Sequence, residues 1–527
     1  MHGQLCVKIG HCQHNIYNNS YRLFFMFTNP IILQILDHYK KIWAIEKLKA
    51  LSSWDLEVYM PENGAYFRGK AMGILGAMQQ QLLLDNNFLS LIKNVQTDKL
   101  NIYEKAVIRN LNRVIEKNQK IPSKLLEEIE ETTNQAQIEW RKARENNNFQ
   151  QFAPHLKKIV KLLKQKTELI GYKNHPYDVL LDEYEQDLTV AKLDIFFNEI
   201  EQPLKNLLDY IKKSDKYIES HPLENLKYDK GKMRKFNSRV LAYLKADTTR
   251  LRIDESTHPF TENISVDDVR ITTRYTDTNF QNSLTSTIHE YGHALYELQV
   301  NRNLTETPLG GGISLGIHES QSRFFENMIG RNKAFLNIFL QDIKALSPEI
   351  AKYVEKEGVE GVYKYFNMVK PSFIRVQADE ITYHLHIKLR YQIEKDLIQG
   401  NIEAEDLPAI WNETMERLLG IKPKSDFEGV LQDVHWSLGA IGYFPTYSIG
   451  SFNSGLIKYE LEKSIGTLEH LIVQETGIEK IESFLKDKIH KYGSTYTPEQ
   501  LLENNFSNEF STKYLINYLE EKYKKIY

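Results

Sequence analysis

The segment from His289 to His293 reads His-Glu-Tyr-Gly-His and could place one metal ion beside a proton-transferring carboxylate. Two histidines four residues apart lie one turn apart on the same face of a helix, where both imidazoles can reach one ion. Glu290 lies about 100° further around the helix, so it can reach a water beside that ion without binding the ion. Neutral imidazole suits zinc. The segment therefore predicts a zinc site for peptide-bond hydrolysis, with Glu290 as general base and acid.

A catalytic zinc site needs a third protein ligand. The metzincin pattern requires a histidine six residues past His293, but that position is Gln299, so this subclass is excluded. We expect Glu319, which opens the following helix, to be the third ligand. Glu297 is the alternative, although three ligands on one straight helix cannot easily surround an ion. His318 is another competitor, or else a substrate contact or a residue that orients a ligand.

The bulk composition excludes several classes of protein. The formal net charge is -3 and no long run of Lys or Arg occurs, so neither nucleic acid nor a membrane surface is an expected partner. The most apolar stretch near the start is too short to span a membrane. The two cysteines, Cys6 and Cys12, lie close to the N-terminus, which fits a reducing, cytoplasmic setting without disulfides.

Most of the chain shows helical periodicity. Apolar spacing predicts helices over residues 31–51, 68–92, 102–115, 123–145, 194–213, 322–346, 372–398 and 498–523. We expect a mainly α fold with one helical domain over residues 31–527, formed by two lobes around a cleft. Residues 1–30 are expected to be a disordered leader or a misassigned start, with Met26 as the alternative first residue.

Two segments near the histidine motif depart from the helical pattern. Residues 248–279 are rich in β-branched residues and turn formers, which predicts a small sheet of two or three strands. An edge strand there could pair with an extended substrate, or the sheet could brace two lobes. The glycines at 310–312 could let the backbone approach a substrate, hinge a lid, or form a plain connector.

Five blocks of this sequence resemble the carboxypeptidase Taq family of metallocarboxypeptidases, and they occur in the family's order. They are DVRIT at 268–272, HEYGH at 289–293, HESQ at 318–321, IRVQAD at 374–379 and GVLQDVHW at 429–436. The resemblance runs from about Tyr39 to the C-terminus.

The resemblance implies an almost entirely helical fold with a small sheet beside a deep active-site cleft. It implies a zinc ion, replaceable by cobalt in vitro, held by His289, His293 and Glu319, with Glu290 as general base and acid. It also implies a cytoplasmic homodimer that removes single C-terminal residues from peptides with broad preference.

An enzyme of this kind must recognise a free C-terminal carboxylate, which arginine binds bidentately. Arg375 is the first candidate, in a segment that we expect to be helical. Its alternative role is an internal salt bridge, with Asp379 one turn further on. Arg270 is the second candidate, with a strand-edge charge as its alternative.

Other polar residues are candidates for substrate contact. Asp433 and His435 lie in an apolar setting, where one could orient a metal ligand and His435 could bond the substrate. Tyr443 and Tyr447 flank a tight turn, and a tyrosine hydroxyl could stabilise the oxyanion. His258 is a further candidate, and simple packing is the alternative for it and for both tyrosines.

Two other functions remain open from the sequence. An oligopeptidase that cuts inside short peptides could use the same metal centre. A catalytically silent zinc-binding scaffold is the second alternative, although a structural site needs no general base such as Glu290.

Overall fold

The computed structural model describes residues 26–507 and 510–527. The expectations for Cys6, Cys12 and residues 1–25 of the leader lie outside this part of the chain. The described helices are α1 (Pro30–Val58), α2 (Ala65–Leu83), α3 (Asn86–Lys93), α4 (Ile102–Lys120), α5 (Ser123–Glu145), α6 (Phe149–Ile170), α7 (Tyr177–Tyr184), α8 (Val190–Lys212), α9 (Lys230–Tyr243), α10 (Phe280–Gln299), α11 (Leu315–Arg323), α12 (Lys333–Ile338), α13 (Leu340–Ala345), α14 (Pro348–Phe366), α15 (Thr382–Gln399), α16 (Leu407–Leu419), α17 (Pro445–Ile465), α18 (Leu468–Val473), α19 (Gly477–Lys488), α20 (Pro498–Asn505) and α21 (Lys513–Ile526).

The prediction of a mainly α fold is confirmed. The start of α1 shows how local sequence sets an element. Asn29 caps the helix by accepting hydrogen bonds from the N–H groups of Ile31 and Ile32, and Pro30 occupies the first turn. Phe27, just before the cap, is fully buried in the core.

A small sheet of three strands precedes α10, as the sequence predicts. Its strands are β1 (Leu251–Glu255), β2 (Thr261–Ser265) and β3 (Asp268–Thr273), in the order β1-β3-β2. β3 pairs in parallel with β1 and antiparallel with β2, with an irregularity in β2 between Asn263 and Ser265. β2 is therefore an edge strand, and it lies between α1 and α10: Lys47 of α1 donates to the carbonyl of Asn263.

Four predicted helices differ from the structure. The helix predicted at 68–92 is divided into α2 and α3, and the helix predicted at 498–523 is divided into α20 and α21. The helix predicted at 322–346 is interrupted, because α11 runs into a π-helix at Phe324–Gly330 and two short helices follow. The helix predicted at 372–398 begins only at Thr382. The carboxylate of Asp379 accepts from the N–H of Thr382 at 3.0 Å, which caps the first turn of α15.

The described helices include none that is both long and apolar enough to span a bilayer.

Candidate metal centre

Helix α10 carries the histidine pair on a buried surface. Leu284 and Ile288 of this helix lie in the core. A Cβ on Gly292 would lie 2.6 Å from the carbonyl oxygen of Gln321 in α11. The missing side chain therefore lets the two helices approach closely, and this approach brings Glu319 of α11 to the histidines.

His289, His293 and Glu319 converge on one point. Glu319 Oε2 lies 3.6 Å from His289 Nε2 and 3.4 Å from His293 Nε2. One ligand atom from each residue lies within 4.8 Å of the other two. Two imidazole nitrogens and one carboxylate oxygen are the donor set of a common catalytic zinc site. The residues present therefore fit a divalent ion.

A second carboxylate holds His289. Its Nδ1 lies 2.9 Å from Glu326 Oε2, which leaves Nε2 facing Glu319. Glu326 is fixed in turn by Arg331 at 3.0 Å and by Arg323 at 3.3 Å. Burial lowers the pKa of His289, but Glu319 and Glu326 outweigh burial and raise this pKa to about 8. A bound cation would displace that proton, so metal binding should weaken at low pH.

Glu319 is kept ionised by its neighbours. Arg323, one turn further on, donates to Oε1 at 2.6 Å, and Ser322 Oγ donates to Oε2 at 3.0 Å. Burial raises the pKa of Glu319, but Arg323 and His289 hold it well below its usual range. A Cβ on Gly450 of α17 would lie 2.6 Å from Glu319 Cβ, so a second glycine lets α17 pack behind this residue.

Glu290 faces strand β2. Thr261 Oγ1 donates to Glu290 Oε2 at 2.7 Å. Burial raises the pKa of Glu290, and this effect is partly offset by His289 and by the Thr261 hydrogen bond. A carboxyl group with a raised pKa can both accept and return a proton closer to neutral pH.

His318 and Glu297 lie behind His293. His318 Nδ1 is 2.8 Å from His293 Nδ1, and His318 Nε2 is 2.7 Å from Glu297 Oε1. Glu297, the alternative ligand by sequence, thus contacts the imidazole that contacts His293 and lies outside the three-residue cluster. His318 takes the orienting position that the sequence left open.

Arg375 is buried, with 5% of its surface exposed. It lies in a short 3-10 turn, so the expected helix is wrong at this residue. Its Nε and Nη2 donate to Asp433 Oδ1 at 3.0 and 2.8 Å. The internal salt bridge that the sequence left as the alternative role of Arg375 is therefore present, but its partner is Asp433 and not Asp379, which caps α15.

Asp433 pairs with two arginines, since Arg390 Nε donates to its second oxygen at 2.7 Å. Two guanidinium groups and one carboxylate leave one excess positive charge in a buried place. His435 adds no charge, because burial lowers its pKa to about 4. Its Nδ1 is buried and has no hydrogen-bond partner within the described chain. The group can therefore accept an anion.

Tyr443 and Tyr447 pack around His435. Their ring centroids lie 5.4 and 6.2 Å from the imidazole, and the Tyr447 hydroxyl is 3.3 Å from His435 Nε2. Burial raises the pKa of Tyr443 to about 12, so its hydroxyl is a hydrogen-bond donor at neutral pH. The negative charge of Glu319 contributes to the raised pKa of Tyr443.

Tyr383 lies between the basic group, formed by Arg375, Asp433 and Arg390, and the cluster of proposed metal ligands. Its hydroxyl accepts from Arg375 Nη1 at 3.2 Å. The guanidinium of Arg323, which holds Glu319, lies 4.3 Å from the centre of the Tyr383 ring. Tyr383 therefore contacts both Arg375 of the basic group and Arg323, the arginine that binds Glu319.

Arg270 and His258 have other environments. Arg270 forms a bidentate pair with Asp268, both contacts at 2.8 Å, and lies 4.5 Å from a ring of Trp54. Arg270 lies on β3, the central strand of the sheet, so its pair with Asp268 is a local ion pair and the strand-edge charge left as its alternative is wrong. His258 is exposed in the connection between β1 and β2.

Several residues that contact and orient the candidate site residues were not predicted from the sequence. They are Thr261, Arg323, Glu326, Tyr383 and Arg390. Arg323 follows Glu319 by four residues, which is a detectable helical pair. The contacts of Thr261 and Arg390 join distant parts of the chain and leave no local signal.

Comparison with known proteins agrees with this geometry. The sequence profile of the carboxypeptidase Taq (M32) metallopeptidases matches residues 34–523. Thermostable carboxypeptidase 1 of Pyrococcus furiosus is 42% identical over 500 residues, covering 94% of this chain and 99% of that protein. Carboxypeptidase 1 of Bacillus subtilis is 34% identical over 496 residues, covering 94% and 98%.

Solved structures show the same fold. A structure of Pyrococcus furiosus carboxypeptidase superposes with a TM-score of 0.92 at 42% identity, covering 94% of this chain and 100% of that chain. This agreement favours a carboxypeptidase over an oligopeptidase or a silent scaffold. The chain belongs to the carboxypeptidase Taq (M32) family and is a metallocarboxypeptidase, a peptide hydrolase that uses a divalent metal ion.

Proposed function

We propose that the ion is zinc, replaceable by cobalt, and that His289, His293 and Glu319 hold it. The convergence of two Nε2 atoms and one carboxylate oxygen carries this proposal, because it is a donor set that zinc favours. The opposite Nδ1 atoms are both engaged, by Glu326 and by His318, so each imidazole is already oriented for binding through Nε2.

Glu290 is the proposed general base and acid. Lewis acidity toward the scissile carbonyl and the attacking water is the chemistry that a bound zinc ion supplies. Glu290 takes a proton from the attacking water and returns it to the leaving amine. The Thr261 hydroxyl fixes one Glu290 oxygen, which leaves the other free for this transfer.

We propose that Arg375 recognises the C-terminal carboxylate of the substrate. Its bond to Asp433 does not neutralise the group, because Arg390 shares the same aspartate. The excess positive charge and the unpaired Nδ1 of His435 support binding of one anion. We propose that the hydroxyl groups of Tyr443 and Tyr447 donate to a carboxylate or to a developing oxyanion. Recognition of the terminal carboxylate limits cleavage to single C-terminal residues, and we propose a broad preference among them.

We propose that Arg270 and His258 also contribute to peptide binding. Arg270 lies in one of the blocks that resemble the family, and His258 is exposed in the connection between β1 and β2. We also propose a cytoplasmic homodimer. Exposed aromatic and apolar side chains on α2 support a partner surface: Tyr66, Phe67 and Ile74 are 65%, 75% and 64% exposed.

Metal replacement tests the identity of the ion. Chelation should abolish peptide hydrolysis, and one equivalent of zinc or cobalt should restore it. A Glu319→Ala variant should bind zinc at least about a hundredfold more weakly. Restoration by magnesium alone, or unchanged zinc affinity in the variant, would show that the proposed ion or ligand set is wrong.

A further inference from the structure

Glu297 is a buried carboxylate that the chemistry above leaves without a role. It accepts hydrogen bonds from three separate segments. His318 Nε2 of α11 lies 2.7 Å from Oε1, and the N–H of Gly312 donates to the same oxygen at 3.1 Å. The side-chain amide of Asn263, on the edge strand β2, donates to Oε2.

We infer that Glu297 is a positioning residue that fixes a metal ligand, the edge strand β2 and the loop at 310–312 relative to one another. The inference rests on the proposed ligand role of His293. Peptide alignment and zinc affinity then both depend on the Glu297 carboxylate.

The first connection runs to the metal ligand. Because His293 binds through Nε2, its Nδ1 carries the proton and donates to His318 Nδ1. His318 then carries its proton on Nε2 and donates to Glu297. An anionic Glu297 thus fixes the tautomers of both imidazoles and makes His293 a stronger donor to a cation.

The second connection runs to β2. Thr261 and Asn263 lie on the same face of the strand. Thr261 donates to Glu290, and Asn263 donates to Glu297. The two carboxylates are seven residues, or about two helical turns, apart on α10. The strand is therefore anchored along α10 at two points. An extended peptide that pairs with the outer edge of β2, beside the contact of Lys47 with Asn263, would be aligned with His289, His293 and Glu319 through these anchors.

The third connection runs to the glycine loop. A Cβ on Gly312 would lie 2.9 Å from His318 Nε2 and 3.2 Å from the ring of Tyr296. The glycine therefore lets the loop backbone reach Glu297 past the imidazole. The close backbone approach at Gly312 is therefore made to His318 and Glu297.

Glu297→Gln tests the inference with little change in shape. Asn263 Oδ1 is buried without a hydrogen-bond partner in the described chain, so rotation of that amide gives the new glutamine a partner. We expect the zinc dissociation constant, measured by chelator competition, to rise at least about tenfold. We also expect KM for peptides to rise severalfold at saturating zinc. Glu104→Gln is the matched control, since Glu104 is a buried carboxylate that holds the start of α1.

Two further variants separate the connections and keep the test valid if Glu297→Gln does not fold. Asn263→Ala should raise KM and leave zinc affinity unchanged. His318→Ala should weaken zinc binding and leave KM at saturating zinc nearly unchanged. Unfolding midpoints are measured for every variant, so that a general loss of stability is recognised.

The inference is overturned if Glu297→Gln matches Glu104→Gln in zinc affinity and KM, or if only one of the two quantities changes. For an unfolded Glu297→Gln, a failure of the split between Asn263→Ala and His318→Ala overturns it. His293→Ala distinguishes failure of this inference from failure of the proposed function. If His293→Ala leaves zinc affinity unchanged, the ligand set itself is wrong.

Discussion

At the scale of single residues, each proposed metal ligand is held by a residue that lies outside the proposed ligand set. Glu326 fixes His289, His318 fixes His293, and Arg323 fixes Glu319. The ligand atoms therefore need little reorganisation on binding, which favours metal affinity. The basic group around Arg375 follows the same rule, because Asp433 orients the guanidinium without cancelling the local charge.

Arg375→Ala should distinguish substrate recognition from a purely structural salt bridge. A charge-assisted bidentate contact is worth roughly 1.5–3 kcal/mol, so kcat/KM on free-acid peptides should fall about tenfold to a hundredfold. Arg375→Lys should recover little, since lysine lacks the planar fork. Zinc content should stay unchanged in both variants. An unchanged kcat/KM on free-acid peptides, or a loss shared equally by any residual cleavage of their amides, would assign Arg375 to structure, and Arg270 would then be tested in the same way.

At the scale of elements, the site depends on how closely helices pack. α10 reaches α11 at Gly292, and α17 reaches Glu319 at Gly450. These contacts decide whether the histidines and Glu319 can share one ion, although neither glycine carries any chemistry.

Gly292→Ala should therefore impair the site from a position with no functional group. The new methyl group would lie 2.6 Å from a backbone oxygen of α11, so the helices must separate. Overpacking of this kind costs about 1–3 kcal/mol, and zinc affinity should fall as Glu319 moves away. Gly73→Ala in α2 is the control, because nothing lies within 4 Å of its Cβ. The control should be neutral or stabilised by about 0.5–1 kcal/mol, and equal unfolding midpoints for the two variants would refute the packing argument.

The sequence predicted the elements better than their interruptions. Helix α5 spans the predicted range 123–145, because its apolar residues recur with a regular helical period and its ends are set by residues adjacent in sequence. The π-helix at Phe324–Gly330 escaped prediction, since its residues are all buried and show no periodic contrast. The two histidines were identifiable because a short motif brings them together on one helix, and Glu319 because it lies on the following helix. The pair of Arg375 with Asp433, 58 residues apart, was set by tertiary structure alone.

At the scale of the whole molecule, the first half of the chain supports a site that the second half supplies. Glu185, which ends α7, accepts from Ser314 Oγ at 2.9 Å and from the N–H of Gly316 at 2.7 Å. It thereby caps α11, the helix that carries Glu319. Arg109 of α4 likewise holds the carbonyl of Ser494 at 2.9 Å.

The cap at Glu185 should make stability depend on pH. Burial raises the pKa of Glu185 from its usual 4.5 to about 7, so the unfolded chain loses this proton first as pH rises. Its contribution to stability is therefore complete below about pH 4.5 and is lost between about pH 4.5 and 7. Glu185→Gln has no such proton. The difference in unfolding free energy, wild type minus variant, should fall by up to about 3 kcal/mol from pH 4.5 to pH 8. A difference that is constant across this range would contradict the assignment.

The most direct test of the account is the product pattern of the zinc-loaded protein. Peptides with a free C-terminus and the same peptides as C-terminal amides would be incubated with wild-type protein and with Glu290→Gln, and the products read by mass spectrometry. We predict that the wild type shortens only the free-acid peptides, one residue at a time. Glu290→Gln should retain zinc while its kcat falls by about 10²–10⁴. Internal cleavage of the amides, or full activity in Glu290→Gln, would contradict the account.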